Sequence, residues 1–180
     1  MPVPIATPHR RLRGTTLIEL GVVTALIALT AAASLPSYST YLDRRALDAA
    51  LAEFDTDVAY VRAQSRARGE GLRLAFGVDG HRHCYVIHTG APGQCQCATS
   101  GQAACSDGAQ ALRVADLGER VRISANVRTT LFDPRRETVS PALSLTFATR
   151  DAGQVRQVIN ILGRVRRCAL SEAVGGLPPC

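Results

Sequence analysis

The chain has no lysine; all 21 of its basic residues are arginine. Genome composition is enough to explain so uniform a choice, so an arginine at any one position does not by itself mark a ligand site. No charge falls between Leu20 and Leu42. There is no internal repeat and no low-complexity tract. A catalytic constellation is also lacking. His81, His83 and His88 fall in one segment, and no serine or cysteine has the surroundings of an activated nucleophile. Enzymes, including a membrane-anchored one, are therefore disfavoured, and no cofactor is implied.

What is present is more directive. The 180 residues suggest one domain beyond an apolar N-terminal segment. Six cysteines, Cys84, Cys95, Cys97, Cys105, Cys168 and Cys180, read as disulfides of an oxidising space such as a periplasm. Cys168 and Cys180 stand apart and are expected to close a terminal loop. For the rest, Cys84–Cys95 with Cys97–Cys105 is preferred, and Cys84–Cys97 with Cys95–Cys105 remains open. His81, His83, Cys84 and His88 lie near Cys95 and Cys97, but the spacing does not match a regular zinc ligand pair, so no metal is expected.

Along the chain, Leu47, Leu51, Phe54, Val58 and Val61 step by four and three, an amphipathic helical stripe facing a core. Arg44, Arg45, Asp48, Glu53, Asp55 and Arg66 fill much of the remaining surface. Gly69-Glu70-Gly71 should stop that helix near Arg68. Strands are expected at 72–76, 83–88, 112–115, 120–125, 143–148 and 155–161, and residues 89–108 read as a cysteine-stapled loop. A helix followed by a run of strands is an α+β pattern. The last strand is apolar in part on both faces, which suits a buried position in a sandwich.

The N-terminal segment decides the expected location. Arg10, Arg11 and Arg13 precede Gly14, and an apolar run from Leu17 to about Leu35 follows. Its length is near the ~20 residues that span a bilayer, and the arginines would stay cytoplasmic. An ordinary signal peptide cut near Ala31-Ala32-Ala33 is one reading, and a plain single-span anchor is another. Neither explains Glu19, a carboxylate in an apolar run, which is costly there unless it has a function.

Gly14 followed by Thr15-Thr16-Leu17-Ile18-Glu19 resembles the prepilin signature of type IV pilins and type II secretion pseudopilins. The resemblance implies cleavage after Gly14 by a prepilin peptidase, methylation of Thr15, and Glu19 as the fifth mature residue. Thr15 stands where the family usually has phenylalanine. Pro36 falls at the twenty-second mature position, where the family also has proline, and should loosen the helix. The mature chain would have 180 − 14 = 166 residues, and losing three leader arginines would lower the net charge from +6 to +3. A buried Glu19 needs a cation; the Thr15 amine of a neighbouring subunit would supply it and set the filament register.

Near the C-terminus, Gly163-Arg164-Val165-Arg166 with the following Arg167 resembles the Gly-Arg-x-Arg motif of FimT-type minor pilins of the FimT/GspH family. That resemblance implies DNA binding during natural transformation. In an extended segment Arg164 and Arg166 point the same way, about 6.6 Å apart, close to the separation of neighbouring phosphates. Both guanidiniums could then grip phosphates, and Gly163 would admit a phosphate or an unusual turn. Binding should be weak, sequence-independent and salt-sensitive, with Arg150 and Arg156 as further cations. The competing reading is a solvated edge strand.

The expected layout is a cleaved leader at 1–14, a transmembrane and filament-core helix at 15–42 and a periplasmic globular domain at 43–180. One helix from Thr15 to Arg68 would be ~80 Å long, its amphipathic half packed on an antiparallel β-sandwich-like domain. The protein is expected to be single-pass in the inner membrane and to enter a pilus after assembly. Its expected partners are other pilins, the prepilin peptidase, DNA and the inner membrane. The alternatives are an assembly-only minor pilin, with twitching or adhesion as its output, and a type II secretion pseudopilin.

Overall fold

The computed structural model describes residues 16–98, 101–171, 174 and 176–180. The chain divides into two compact units, Met1–Tyr38 and Ser39–Cys180. Helix α1 is assigned over Leu17–Arg68.

In the first unit, the Thr16 hydroxyl accepts the Glu19 N–H at 3.3 Å and so caps the helix start. Glu19 lies in the first turn, where a carboxylate complements the helix dipole. The hydroxyls of Thr24 and Thr30 donate back to carbonyls one turn earlier, those of Leu20 and Leu26. The apolar side chains from Leu17 to Leu29 are exposed.

The expected long N-terminal transmembrane helix is overturned. Among the described residues no helix is long and apolar enough to cross a membrane. The N-terminal part of the helix includes Glu19, Gly21, Thr24 and Thr30; a span needs about 20 predominantly apolar residues. The expected single-pass placement in the inner membrane falls with it.

The second unit is built around the part of α1 that carries the apolar stripe. Leu47, Leu51, Phe54, Val58 and Val61 are all buried. The strands are β1 (Leu72–Asp79), β2 (Arg82–His88), β3 (Cys95–Ala98), β4 (Gln102–Cys105), β5 (Ala111–Asp116), β6 (Arg122–Ala125), β7 (Thr129–Asp133), β8 (Thr138–Ser140), β9 (Leu143–Ala148), β10 (Gln154–Ile159) and β11 (Val165–Ala169). They form a five-stranded sheet, β5-β2-β1-β7-β8, a four-stranded sheet, β11-β10-β9-β6, and the hairpin β3-β4. Every strand pairing is antiparallel.

Phe54 of α1 joins the two larger sheets. Its ring meets Tyr85 of β2 edge-on at 5.4 Å and Phe147 of β9 at 5.5 Å. Leu72, Leu74, Tyr85 and Ile87 of the five-stranded sheet and Leu143, Leu145, Phe147, Val155 and Ile159 of the four-stranded sheet complete one core. Strand alternation sends these residues inward and their neighbours out. In β10 the buried residues are Val155, Gln157 and Ile159, with Arg156 and Val158 on the opposite face.

The segment 89–108, expected to be a loop, contains β3 and β4. Its glycine, alanine and cysteine content gives no strand periodicity, and disulfides hold the hairpin instead. Cys95 pairs directly across the hairpin with Cys105, and the two are bonded. Cys97 faces Ala103 there and bonds to Cys84 of β2. The preferred pairing of these four is thus corrected to the one left open, because hairpin register puts Cys95, not Cys97, opposite Cys105. Cys168 and Cys180 form the third disulfide.

Candidate nucleic-acid interface

Strand register defines the outer face of the four-stranded sheet, the one turned away from the core. Register sets Cys168, Arg156, Thr146 and Ser124 in one cross-strand row, and Arg166, Val158 and Ser144 in the next. Gln154, Ala148 and Arg122 follow on the far side. The strand positions of this face thus hold Arg122, Arg156 and Arg166 and no carboxylate. A face lined by one sign of charge attracts polyanions.

The loop joining β10 to β11 is firmly held. The Val139 N–H of β8 donates to the Ile161 carbonyl at 2.8 Å. Arg62 of α1 donates to the Gly163 carbonyl at 2.8 Å and to the Leu162 carbonyl at 3.3 Å. The Gly163 N–H donates to the Asn160 carbonyl, and the Asn160 side chain accepts the Arg164 N–H at 2.8 Å. Three successive carbonyls, 161 to 163, are therefore fixed by protein donors.

Gly163 has φ +71°, a conformation other residues adopt at a cost. A Cβ at this position would lie 2.8 Å from an Arg62 guanidinium nitrogen. Gly163 is buried, so the glycine serves the turn and the close approach of Arg62, not the approach of a phosphate.

The arginines of the motif divide. Arg164 and Arg166 are exposed, and neither guanidinium has a hydrogen bond or ion pair among the described residues. Arg167 points to the other face. It pairs with Asp55 of α1 and donates to the Leu51 carbonyl. Gln157, its partner across the ladder, also donates to Asp55, at 2.7 Å. Arg167 therefore packs the sheet on the helix and is withdrawn from any ligand. The C-terminal tail lies along the β11 edge: the Ala169 N–H donates to the Pro178 carbonyl, and the Cys180 N–H to the Ala169 carbonyl.

Sequence reasoning missed Arg62, Asn160, Arg135 and Arg136. The bond from Val139 to Ile161 sets the β7–β8 turn beside the β10–β11 loop. In that turn Asp133 accepts the backbone N–H groups of Arg135 and Arg136, whose side chains are exposed. Asp133-Pro134 was a readable turn signal. Nothing in the sequence marked Arg62 among the arginines of the helix.

Of the other residues considered, Gly14 and Thr15 lie outside the described residues. Glu19 is exposed and belongs to the first unit. Arg150 lines a polar cavity of about 480 Å³ together with Arg120, Arg122, Asp43, Glu119 and Asp151, so the acids there face three arginines. The three central cysteines near the histidines are all in disulfides. His88 is buried, with its Nδ1 2.7 Å from the Thr89 carbonyl. Burial first, then repulsion from Arg122, hold His83 of β2, on the other sheet, below the ordinary histidine range. No family model, curated protein or solved structure matches the chain.

Proposed function

We propose that the protein is a minor-pilin-type filament subunit, similar to the FimT/GspH family, that binds DNA through the arginine surface around β11. The supporting observation is the pair Arg164 and Arg166, exposed and without partners among the described residues on a firmly held strand end. Arg167, Arg62 and Arg113 are held by carboxylates or carbonyls, while Arg164 and Arg166, like Arg122, Arg135 and Arg156 nearby, have no such partner among the described residues. Both can donate in bidentate fashion to phosphate oxygens. Arg156 extends the surface across the sheet, and Arg135 extends it across the neighbouring turn. Such contacts read charge and spacing, not base identity. Processing after Gly14 by a prepilin peptidase, and Glu19 docking with neighbouring subunits, complete the proposed life of the subunit.

The test is DNA binding by the oxidised full chain across a salt series. Binding should weaken steeply with salt. The double variant Arg164→Ala/Arg166→Ala should lower the log–log salt slope by about 1.4 on single strands and about 1.8 on duplex. Binding that is absent, or unaltered by the variant, would sink the DNA reading and favour an assembly-only pilin or a pseudopilin.

A further inference from the structure

The β10–β11 loop carries two large apolar side chains into solvent: Ile161 is 59% and Leu162 72% exposed. Exposed leucines are common and usually need no account. These two differ in how they are held. Their carbonyls are bound inward by Val139 and Arg62, and the Gly163 turn locks the chain behind them. The backbone polar groups face the protein, and the side chains face out. Their ordering entropy is therefore already spent before any ligand arrives. Arg164 follows immediately, and Arg166 projects from the same strand end.

We propose that this tip contacts bases: Ile161 and Leu162 pack on unstacked nucleobases while Arg164 and Arg166 hold the flanking phosphates. The proposal rests on the DNA-binding reading above and names its substrate class as single-stranded DNA. An intact duplex offers an apolar tip only sugar edges and thymine methyl groups, far less apolar area than a base face. Base faces become available only in a single strand or at an opened step, and opening a step costs a few kcal/mol. A site with few cations cannot readily supply that, so the tip favours strands already unpaired. The charge argues against a purely apolar partner. Arg164 follows the tip directly, Arg166 lies two residues on and Arg135 lies in the neighbouring β7–β8 turn, whose carboxylates Asp133 and Glu137 are paired with Arg136 and Arg66.

The experiment measures binding of the oxidised full chain to a single-stranded oligonucleotide and to its duplex, both containing 2-aminopurine. The parent should prefer the single strand and change the 2-aminopurine fluorescence. Ile161→Ser/Leu162→Ser should weaken single-strand binding about fivefold, as loss of partial apolar burial predicts, and leave the duplex nearly unchanged. Leu162→Phe, at an exposed position that does not test folding, should strengthen single-strand binding by adding a stacking face. Equal binding of parent and both tip variants, with Arg164→Ala/Arg166→Ala still defective, would overturn the base contact and keep the DNA reading. A serine variant that loses self-association while binding DNA normally would also overturn it, making the tip a protein contact. No DNA binding by the parent would remove both readings.

Discussion

The two larger sheets share one helix and one core, yet their outer faces have opposite fates. The outer face of the five-stranded sheet is covered. Val86 and His88 are buried there, beneath the β3–β4 hairpin that Cys84–Cys97 pins to β2. The outer face of the four-stranded sheet carries arginines and small polar residues. The helix repeats the contrast on its own side with two carboxylates one residue apart from a shared neighbour. Asp57 meets the five-stranded sheet, accepting the Tyr85 hydroxyl at 2.8 Å and pairing with Arg113 at 2.7 Å, with a side chain only 1% exposed. Asp55 meets the four-stranded sheet through Arg167 and Gln157 and is 40% exposed. One sheet is closed and polar groups inside it are costly; the other is open and its charges are available.

The hairpin disulfide offers the largest test. Cys84 and Cys97 are 13 residues apart, Cys168 and Cys180 are 12 apart. Loops so alike restrict the unfolded chain almost equally, by about 3 kcal/mol each. If covering the sheet matters, the two deletions should still differ. Cys84→Ala/Cys97→Ala should cost about 3 kcal/mol or more in denaturant unfolding, because it also lets water reach Val86. Cys168→Ala/Cys180→Ala, which frees only an edge-lying tail, should cost less. Equal losses would reduce the hairpin to a chain constraint and erase the contrast.

These elements also show how far the sequence could be read. The helical stripe from Leu47 to Val61 was legible because one-sided burial repeats every three to four residues. Six strands, β1, β2, β5, β6, β9 and β10, were legible to within a few residues because each keeps apolar residues on a buried face. The short strands β3, β4, β7, β8 and β11 were not among the expected ones, since their pairing comes from disulfides or from a neighbouring strand and leaves no periodic mark. At the interface, the extended segment that carries Arg166 was readable, and register places Arg166 on the outer face beside Val158. Strand alternation turns Arg167 inward, but its pairing depends on Asp55, over a hundred residues earlier. No local pattern carries that information, nor the Arg62 bond that explains Gly163.

A smaller effect should appear with pH. Burial, more than the opposing pull of Tyr85 and Arg113, raises the Asp57 carboxyl above its ordinary value of 3.8. The folded chain then binds more protons than the unfolded chain between that value and the raised one. Stability attributable to Asp57 therefore falls as pH climbs through this window, and is constant above it. Asp116 has the opposite sign. The Gly118 N–H, then Arg82, hold it low, so its contribution is lost on acidification. Comparing a variant with the parent cancels that background. Tyr85→Phe removes a donor to the Asp57 carboxylate and should raise its pKa further. The expected loss is about 1–3 kcal/mol at neutral pH, shrinking once Asp57 is protonated in both states. The same loss at acidic and neutral pH would show that Tyr85 contributes packing alone.

The smallest predicted stability effect separates two adjacent arginines on the open sheet. Arg166 and Arg167 have the same side chain, the same strand and almost the same distance from the chain end. Only the pleat distinguishes them. Arg167→Ala breaks a half-buried pair with Asp55 and leaves that carboxylate with Gln157 alone, so it should cost about 1 kcal/mol. Its effect on DNA affinity should be slight. Arg166→Ala removes an exposed side chain without a partner among the described residues and should leave unfolding unchanged within about 0.5 kcal/mol, while weakening DNA binding at low salt. The pair of measurements forms a crossed test, in which each variant is the other's control. If Arg167→Ala weakened DNA binding as much as Arg166→Ala, the ligand would have to reach behind the sheet or displace Asp55, and the division into a structural inner face and a ligand-facing outer face would fail.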